Sequence, residues 1–153
     1  MGYHTVVLGY DGSSDAARAV EAAADEVDAD GTVHVVTAYH PESTTELMRR
    51  LKELPEEFRY VWDPHVAEKD RQEVALARLR ERGVTCSSHV VPDDAASALL
   101  DVARRERADL VVVGSRGLSR AQRFLRGSVS SRVASHAPTS VLIVHDSAAA
   151  TSP

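Results

Sequence analysis

The sequence predicts an α/β domain in which a doubly wound, five-stranded parallel sheet is covered by helices on both faces. Short apolar runs rich in valine alternate along the chain with longer segments whose apolar residues recur at helical spacing. Five such strands separated by four helices favour right-handed crossovers between parallel strands. At 153 residues, 43% of them hydrophobic, the chain has the size and composition of one globular domain.

The first predicted strand ends in a turn that leads to a helix. Residues 5–10 form a short apolar run with strong strand propensity, and the pair Asp11-Gly12 that follows is typical of a turn. Ser13 or Ser14 can then cap a helix with its side-chain oxygen. Apolar residues recur at helical spacing after this cap, so a strand, a turn and a helix are predicted in succession.

The next segment is predicted to return to the sheet. The first helix is expected to extend to about Asp28, and the pair Asp30-Gly31 is expected to break it. A second strand is predicted over residues 32–39, which are rich in valine and threonine. Residues 40–62 lack a clear period, although 46–54 could form a short helix, and we interpret this segment as an excursion from the second strand.

A long helix and a third strand follow the irregular segment. The helix is predicted to start after Asp63, its cap, with proline in the first turn, and to end near Arg82. The third strand is predicted over residues 84–91. Asp93 or Asp94 is expected to cap the next helix, whose alanines and leucines form a regular apolar stripe.

The last part of the chain is predicted to contain two strands and one helix. Residues 108–113 are apolar throughout, so this fourth strand is expected to be central and covered on both faces. A glycine-rich loop follows, and residues 128–137 then show a helical pattern that Pro138 ends. A fifth strand is predicted over 140–145. The tail, 146–153, has nothing to bury and is expected to be disordered.

Composition restricts the classes of function. The net charge of −5 argues against a nucleic-acid partner or an anionic membrane surface. No apolar run approaches the roughly 20 residues that span a bilayer, and no secretory signal is visible. The single cysteine, Cys86, excludes an internal disulfide and suits a reducing compartment. We therefore expect a cytoplasmic protein without nucleic-acid or membrane partners.

The exits of the first and fourth strands carry the predicted site. Ligands bind doubly wound sheets beyond the carboxyl ends of the strands, at the point where strand order reverses. If these two strands flank that point, Asp11 faces the glycine loop across one crevice. Glycines allow a phosphate to approach the backbone, and the following helix points its free N–H groups at the loop. The groups expected to hold phosphate oxygens are backbone N–H groups near three glycines and two serine hydroxyls: Gly114, Gly117, Gly127, Ser128 and Ser130.

Charged residues near this loop indicate how a ligand would be oriented. Arg120, Arg123 and Arg126 add positive charge beside the predicted phosphate site. Asp11 would repel a bare phosphate, so it suits a hydrogen bond from a base or ribose, or a Mg²⁺ ion. Two plainer interpretations stay open at this point. Asp11 could serve only as an Asx-turn residue, and the glycines could serve only the geometry of the connection.

Several known kinds of site do not fit the spacing. A P-loop requires a lysine after its second glycine, and no lysine lies near this loop. The segment from Gly9 to Gly12 does not supply the dinucleotide fingerprint Gly-x-Gly-x-x-Gly. The seven histidines are scattered without metal-ligand spacing, so no metal site is expected. Ser128 has no His/Asp relay that the sequence would place beside it, so no catalytic residue is predicted.

The glycine loop resembles a known nucleotide-binding signature. Its spacing, Gly114-x2-Gly117-x9-Gly127-Ser128, is similar to that of the universal stress protein family. The Asp-Gly-Ser triplet after the first strand and the Ala-Pro-Thr-Ser-Val-Leu-Ile-Val segment near the end also match that family's pattern. The resemblance covers residues 3–145, which we therefore interpret as a single universal stress protein domain.

The resemblance implies a fold, a ligand and an assembly. The fold would be a flavodoxin-like, adenine nucleotide alpha hydrolase-like sheet with strand order 3-2-1-4-5. The branch of the family that carries the glycine pattern binds ATP, so ATP is the expected ligand, with AMP and ADP as alternatives and Mg²⁺ as an accompanying ion. The family also implies a homodimer joined through the last strand, at Val141, Leu142, Ile143 and Val144.

The resemblance also implies ligand contacts for individual residues. Those near the adenine and ribose would be Gly9, Asp11 and Ala38. Those near the ribose and phosphates would be Val113, Gly114, Gly117, Gly127, Ser128 and Val129. Gly9 stands where some members have proline, and Ala38 where a valine or larger aliphatic residue is common. Both departures would loosen the adenine pocket.

Three functions agree with these observations. The first is a nucleotide-binding, stress-response regulator without efficient catalysis, since the predicted phosphate site has no positioned base or catalytic lysine. The second is a slow Mg²⁺-dependent ATPase or phosphotransferase that uses Asp11. The third is a dimeric interaction module that acts independently of nucleotide, because a short apolar edge strand is a natural pairing surface.

Overall fold

The computed structural model describes residues 2–40, 44–58, 63–115 and 128–145, in which strands and helices alternate, with two successive helices between the second and third strands. The strands are Tyr3–Gly9 (β1), Val27–Ala38 (β2), Thr85–Val91 (β3), Leu110–Gly114 (β4) and Ser140–Val144 (β5). The helices are Ser14–Glu26 (α1), Thr44–Glu53 (α2), Pro64–Glu81 (α3), Ala95–Arg105 (α4) and Ser128–His136 (α5). The short helix predicted within 40–62 is thus observed as α2. The tail predicted to be disordered, 146–153, lies outside the described residues.

The five strands form one parallel sheet in the order β3-β2-β1-β4-β5. This order confirms the predicted doubly wound α/β fold. β1 pairs with both β2 and β4, so that Leu8 lies between Val35 and Val112. Strand order therefore reverses between β1 and β4, and the exits of these two strands flank the switch point, as expected.

Helices cover both faces of the sheet. Alternate residues of β1 and β2, such as Leu8 and Val33, pack against α1 and α3. The intervening residues, such as Val7 and Val36, pack against α4 and α5. All five residues of β4 are buried, which confirms that this strand is covered on both faces, although β1 occupies the centre of the sheet.

Local side-chain caps explain where the helices start. Ser13, rather than Ser14, caps α1: its Oγ accepts a hydrogen bond from the backbone N of the third residue of that helix at 3.2 Å. Asp63 caps α3, with proline directly after it. Asp94, rather than Asp93, caps α4. None of the described helices is both long and apolar enough to cross a bilayer.

The boundary between α1 and β2 differs from the prediction. The helix ends at Glu26 instead of near Asp28, and β2 begins at once with Val27. The strand therefore includes residues 28–31, which had been interpreted as a helix end and a breaking turn. The Asp-Gly pair at positions 30 and 31 was misinterpreted because its preference for irregular backbone also suits a β-bulge.

The pairing of β1 with β2 shows this bulge directly. Tyr3 and Thr5 on β1 are two residues apart, whereas their partners Val27 and Thr32 are five residues apart, so three extra residues arch out of β2. Gly31 lies in this arch, where a Cβ atom would come 2.6 Å from the backbone O of the residue at position 4. Glycine is required there because the two backbones approach each other closely.

A second contact locks the start of β1 to a distant part of the chain. The carboxylate of Asp109 accepts hydrogen bonds from the backbone N of His4 at 3.0 Å and of Thr5 at 2.9 Å. The backbone N of Asp109 in turn donates to the backbone O of Thr5 at 2.9 Å. These bonds join residues that are 105 and 104 positions apart in sequence. They fix β1 beside the segment that enters β4.

Candidate functional site

Asp11 lies directly after β1, in the tight turn that leads to α1. Its Oδ1 accepts a hydrogen bond from the backbone N of Ser13 at 2.9 Å, which is the geometry of an Asx turn. Its Oδ2 accepts no hydrogen bond from the described residues. Gly12 permits the turn, because its φ is +82° and the position of a Cβ would lie 3.0 Å from Cδ of Arg71. The turn thus holds the carboxylate in place and leaves one oxygen for a ligand.

A cleft of about 230 Å³ opens beside Asp11 at the carboxyl ends of β1 and β2. Ala38, the last residue of β2, forms part of its wall, so the structure brings these two predicted residues together. Side chains from α3 and from the entry to α4 complete it, including Glu68, Arg71 and Asp93. Pockets for drug-sized molecules span about 300–1,000 Å³. The described cleft is thus sized for part of a nucleotide, such as the base and sugar.

The charges of this cleft are mainly negative. Its lining includes the carboxylates of Asp11, Glu68 and Asp93. The guanidinium of Arg71 is paired with Glu68, at Nη1 to Oε distances of 3.0 and 3.2 Å. Such a wall repels phosphate but accepts hydrogen bonds from the hydroxyls of a ribose or the amino group of a base. Phosphates would therefore be better placed on the other side of the switch point, at β4 and α5.

A buried amide beneath the cleft ties the sheet to α3. Gln72 is fully buried, and its Nε2 donates hydrogen bonds to the backbone O of Val35 and to Oγ1 of Thr37, both at 3.0 Å. Its Oε1 accepts a hydrogen bond from the hydroxyl of Ser88. The hydroxyl of Thr37 donates to the backbone O of Tyr10 at 2.8 Å. This network fixes the strand ends from which the cleft starts, and sequence reasoning missed it.

On the other side of the switch point, Gly114 ends β4 against the first turn of α1. A Cβ at Gly114 would lie 2.8 Å from Cβ of Asp15, closer than such atoms approach in proteins. The Asp15 carboxylate is buried, and its Oδ2 accepts a hydrogen bond from the hydroxyl of Ser115 at 3.2 Å. Gly114 is therefore required for helix–strand packing, whatever it does for a ligand. Asp15 was not predicted, because an acid in a first helical turn is common.

The first turn of α5 lies at the same edge of the sheet. Ser128 is exposed there, whereas Ser130 is buried. Arg132 holds this helix against the start of α4, since its guanidinium donates to Oδ1 of Asp94 at 2.8 Å and to Oγ of Ser97 at 3.0 Å. Hydrogen bonds from Ser97, with a smaller contribution from Arg132, lower the pKa of Asp94. This carboxylate stays ionised and keeps α5 in position.

The remaining described candidates lie in apolar surroundings. Gly9 is buried, and a Cβ there would lie 3.2 Å from Cδ1 of Leu99 and 3.4 Å from Cγ1 of Val113. Val113 is itself buried, and Val129 is half-buried against the same apolar cluster on the α4 face of the sheet. These three positions shape the packing around the switch point. Gly117, Gly127 and the arginines at positions 120, 123 and 126 lie outside the described residues.

Comparison with known proteins gives a consistent relationship over nearly the whole chain. The model of the Universal stress protein family matches residues 2–145. A universal stress protein of Mycobacterium tuberculosis strain H37Rv is 35% identical over 150 residues, which cover 94% of this chain and 97% of that protein.

Two solved structures show the likeness in three dimensions. The crystal structure of a universal stress protein in complex with cAMP is 32% identical, with a TM-score of 0.63, over 95% of this chain and 98% of that one. A universal stress protein family protein of Arabidopsis thaliana with AMP bound has a TM-score of 0.67 over 97% of this chain and 95% of that one. At 21% identity this second likeness concerns the fold alone.

Proposed function

Because the chain belongs to the universal stress protein family, we propose that it binds an adenine nucleotide beside Asp11. The observation that carries the proposal is the cleft itself, in which a carboxylate with one available oxygen stands at the switch point of a doubly wound sheet. A relative that is 32% identical has been solved in complex with cAMP, which supports the same class of ligand. The resemblance of the glycine spacing after β4 to the signature of the family's ATP-binding branch favours ATP.

In this proposal the two sides of the switch point bind different parts of the ligand. The acidic cleft takes the base and the ribose, whose hydroxyl groups donate to Asp11. The backbone from Gly114 onward and the start of α5, with Ser128 and Ser130, take the phosphates. Mg²⁺ would accompany the triphosphate, held by its phosphate oxygens and by water.

We further propose a regulatory role in the cytoplasm, as a stress-response protein without efficient turnover. The glycine-rich segment after β4 contains no lysine that could transfer a phosphoryl group, and the sequence places no His/Asp relay beside Ser128. A slow Mg²⁺-dependent ATPase is the alternative. It predicts ADP release that requires Mg²⁺ and disappears when Asp11 is replaced by asparagine, whereas the regulatory role predicts equal background rates.

The first experiment identifies the ligand and tests Asp11. Denaturing freshly purified protein and chromatographing the released material should yield an adenine nucleotide, and calorimetry with ATP, AMP and cAMP should rank them. Asp11→Asn keeps the Asx turn, because an amide oxygen can accept the same bond from Ser13, but removes the charge. Hydrogen bonds to charged groups contribute about 1.5–3 kcal/mol, so affinity should fall about 10- to 100-fold.

Asp70→Asn is the matched control for this experiment, since Asp70 is an exposed carboxylate on α3, a helix that also contributes side chains to the cleft. It should bind nucleotide as tightly as the unaltered protein. If no adenine nucleotide is released and none binds by calorimetry, the proposal is wrong. If the Asp11 and Asp70 variants bind nucleotide with equal affinity, Asp11 does not contribute to nucleotide binding.

We also propose a homodimer joined through β5. This strand has only β4 as a neighbour in the sheet, and its residues Val141–Val144 are half-buried in the single chain. Leu142→Lys should convert the dimer to a monomer, because pairing would place an ammonium group in an apolar interface. Sedimentation measures the change with and without nucleotide. Thr85→Lys on β3, at the opposite edge, is the control and should leave the dimer intact; a monomeric unaltered protein would contradict the proposal.

A further inference from the structure

Two histidines that are 55 residues apart in sequence meet on the face of the sheet that α4 covers. His34 on β2 pairs with Ser87, and His89 on β3 pairs with Val36, so the histidines are offset by two residues and share one face. Nδ1 of His34 lies 3.0 Å from Nε2 of His89. The ring centroids are 5.2 Å apart and the rings are inclined at 50°. The hydrogen-bonded strands therefore hold two imidazoles in a fixed relation.

A carboxylate from a third element completes the group. Glu106 is the residue that caps the end of α4, and its Oε2 lies 3.9 Å from Nε2 of His34. One nitrogen or oxygen atom from each of the three side chains lies within 4.8 Å of the other two. Tetrahedral zinc with bonds of about 2.0–2.1 Å needs ligand atoms roughly 3.3 Å apart. Nδ1 of His34 and Nε2 of His89 already lie 3.0 Å apart, so binding would draw the partly exposed carboxylate of Glu106 toward them.

The surroundings shelter these side chains while leaving a path for an ion. The side chain of His34 is 12% exposed and that of Glu106 is 36% exposed. Burial lowers the pKa of both histidines, and the nearby charge of Glu106 opposes this shift. Arg105 also faces His89 and lowers the pKa of that residue further.

We propose that His34, His89 and Glu106 bind a divalent cation of the zinc class, with water as the fourth ligand. Two imidazoles and one carboxylate form a nitrogen-rich donor set, which suits zinc better than Mg²⁺ or Ca²⁺. The site lies on the α4 face of β2 and β3, and none of its three ligands lines the Asp11 cleft. Spacing along the chain could not indicate it, because the ligands come from two strands and a helix end.

A second group among the described residues provides an internal comparison. His4, Asp28 and Asp30 also bring three potential ligand atoms within 4.8 Å of one another. The side chains of His4 and Asp30 are 64% and 86% exposed, and Oδ1 of Asp28 already accepts a hydrogen bond from the backbone N of Gly2 at 2.7 Å. Ordering exposed side chains costs conformational entropy, so this group should bind zinc weakly.

The test uses the full-length protein after removal of metal by a chelator and of nucleotide by dialysis. Zn²⁺ is titrated in competition with a chromophoric chelator, and Co²⁺ is used as a spectroscopic probe. We expect one equivalent per chain and the visible absorption of tetrahedral Co²⁺. Removing a residue that hydrogen-bonds to a metal ligand lowers metal affinity about 10–100-fold. His89→Gln and Glu106→Gln remove ligands themselves, so each should lower the Zn²⁺ affinity at least about tenfold.

Asp30→Asn is the control variant and should bind Zn²⁺ like the unaltered protein. Glu106 is partly exposed, so Glu106→Gln should fold normally, and its urea unfolding curve without metal verifies this. The proposal is overturned if the protein binds less than one equivalent of Zn²⁺ tightly, or if both ligand variants keep the affinity of the unaltered protein. A lower Zn²⁺ affinity in Asp30→Asn would overturn it as well. Adenine nucleotide affinity measured on the same variants should not change, which separates this proposal from the function proposed for Asp11.

Discussion

Replacing Ala38 by tryptophan is expected to abolish most of the adenine nucleotide affinity while leaving the protein folded. Ala38 ends β2 in the wall of the cleft beside Asp11, so an indole at this position would occupy the space of the base. Overpacking a filled site costs about 1–3 kcal/mol, and each 1.4 kcal/mol is about tenfold in affinity, so we expect a loss of about 10- to 100-fold. Calorimetry measures the affinity, and urea unfolding measures the stability.

Ala38→Val is the matched variant, and its effect should have the opposite sign. Valine adds two carbon atoms to the wall, and each buried CH₂ contributes about 0.8 kcal/mol where it contacts the ligand. We therefore expect a several-fold gain in affinity. If tryptophan and valine at this position both leave the affinity unchanged, the nucleotide does not occupy this cleft.

Replacing Gly114 by alanine is expected to lower the free energy of unfolding even when no nucleotide is present. The added Cβ would lie 2.8 Å from Cβ and 3.2 Å from the carbonyl carbon of Asp15, so β4 or α1 would have to shift. Such overpacking costs about 1–3 kcal/mol. Part of this cost would be offset by about 0.4–1 kcal/mol, since alanine restricts the unfolded chain more than glycine does. Urea unfolding of nucleotide-free protein measures the net loss.

Gly9→Ala is the control, because Gly9 is also a buried glycine at a strand end. Its added Cβ would meet the methyl groups of Leu99 at 3.2 and 3.3 Å, and these can move by a few tenths of an ångström. The loss should therefore be smaller than at Gly114. Adding Asp15→Ala to Gly114→Ala should not restore stability, because alanine at position 15 keeps the Cβ atom with which the new Cβ at position 114 collides. Full stability of Gly114→Ala would contradict the packing role of this glycine.

Local preference and burial agree along most of the chain and were sufficient to predict a doubly wound parallel sheet, whereas the strand order came from the family resemblance. The all-apolar run of β4 predicts a strand covered on both faces, and Asp63 followed by proline predicts the start of α3. The segment from Asp28 to Gly31 was mispredicted because turn-forming residues also favour a bulge, and only pairing with β1 decides between the two structures. Tertiary contacts, rather than local preference, set that boundary.

The site could be predicted only where it lies next to a recognisable strand exit. Asp11 follows an apolar run, whereas Ala38 was implied only by the family resemblance, and the structure brings the two to one cleft. Arg71 could not be foreseen there, because it is one of many charged residues on a helix whose apolar stripe is weak. Gln72 shows the same difficulty in the core: a buried amide is stable only through partners on two strands, and those partners are distant in sequence.

The position of β1 at the centre of the sheet has a consequence for synthesis on the ribosome. β1 is made early, yet one of its hydrogen-bonding edges is covered only by β4, and its start is held by Asp109, 105 residues downstream of His4. At about 5–20 residues per second, roughly 5 to 20 s pass before those residues are made. During that time the valines of β1 form an open template for pairing with other chains. The nascent protein is thus most prone to aggregate before β4 leaves the exit tunnel.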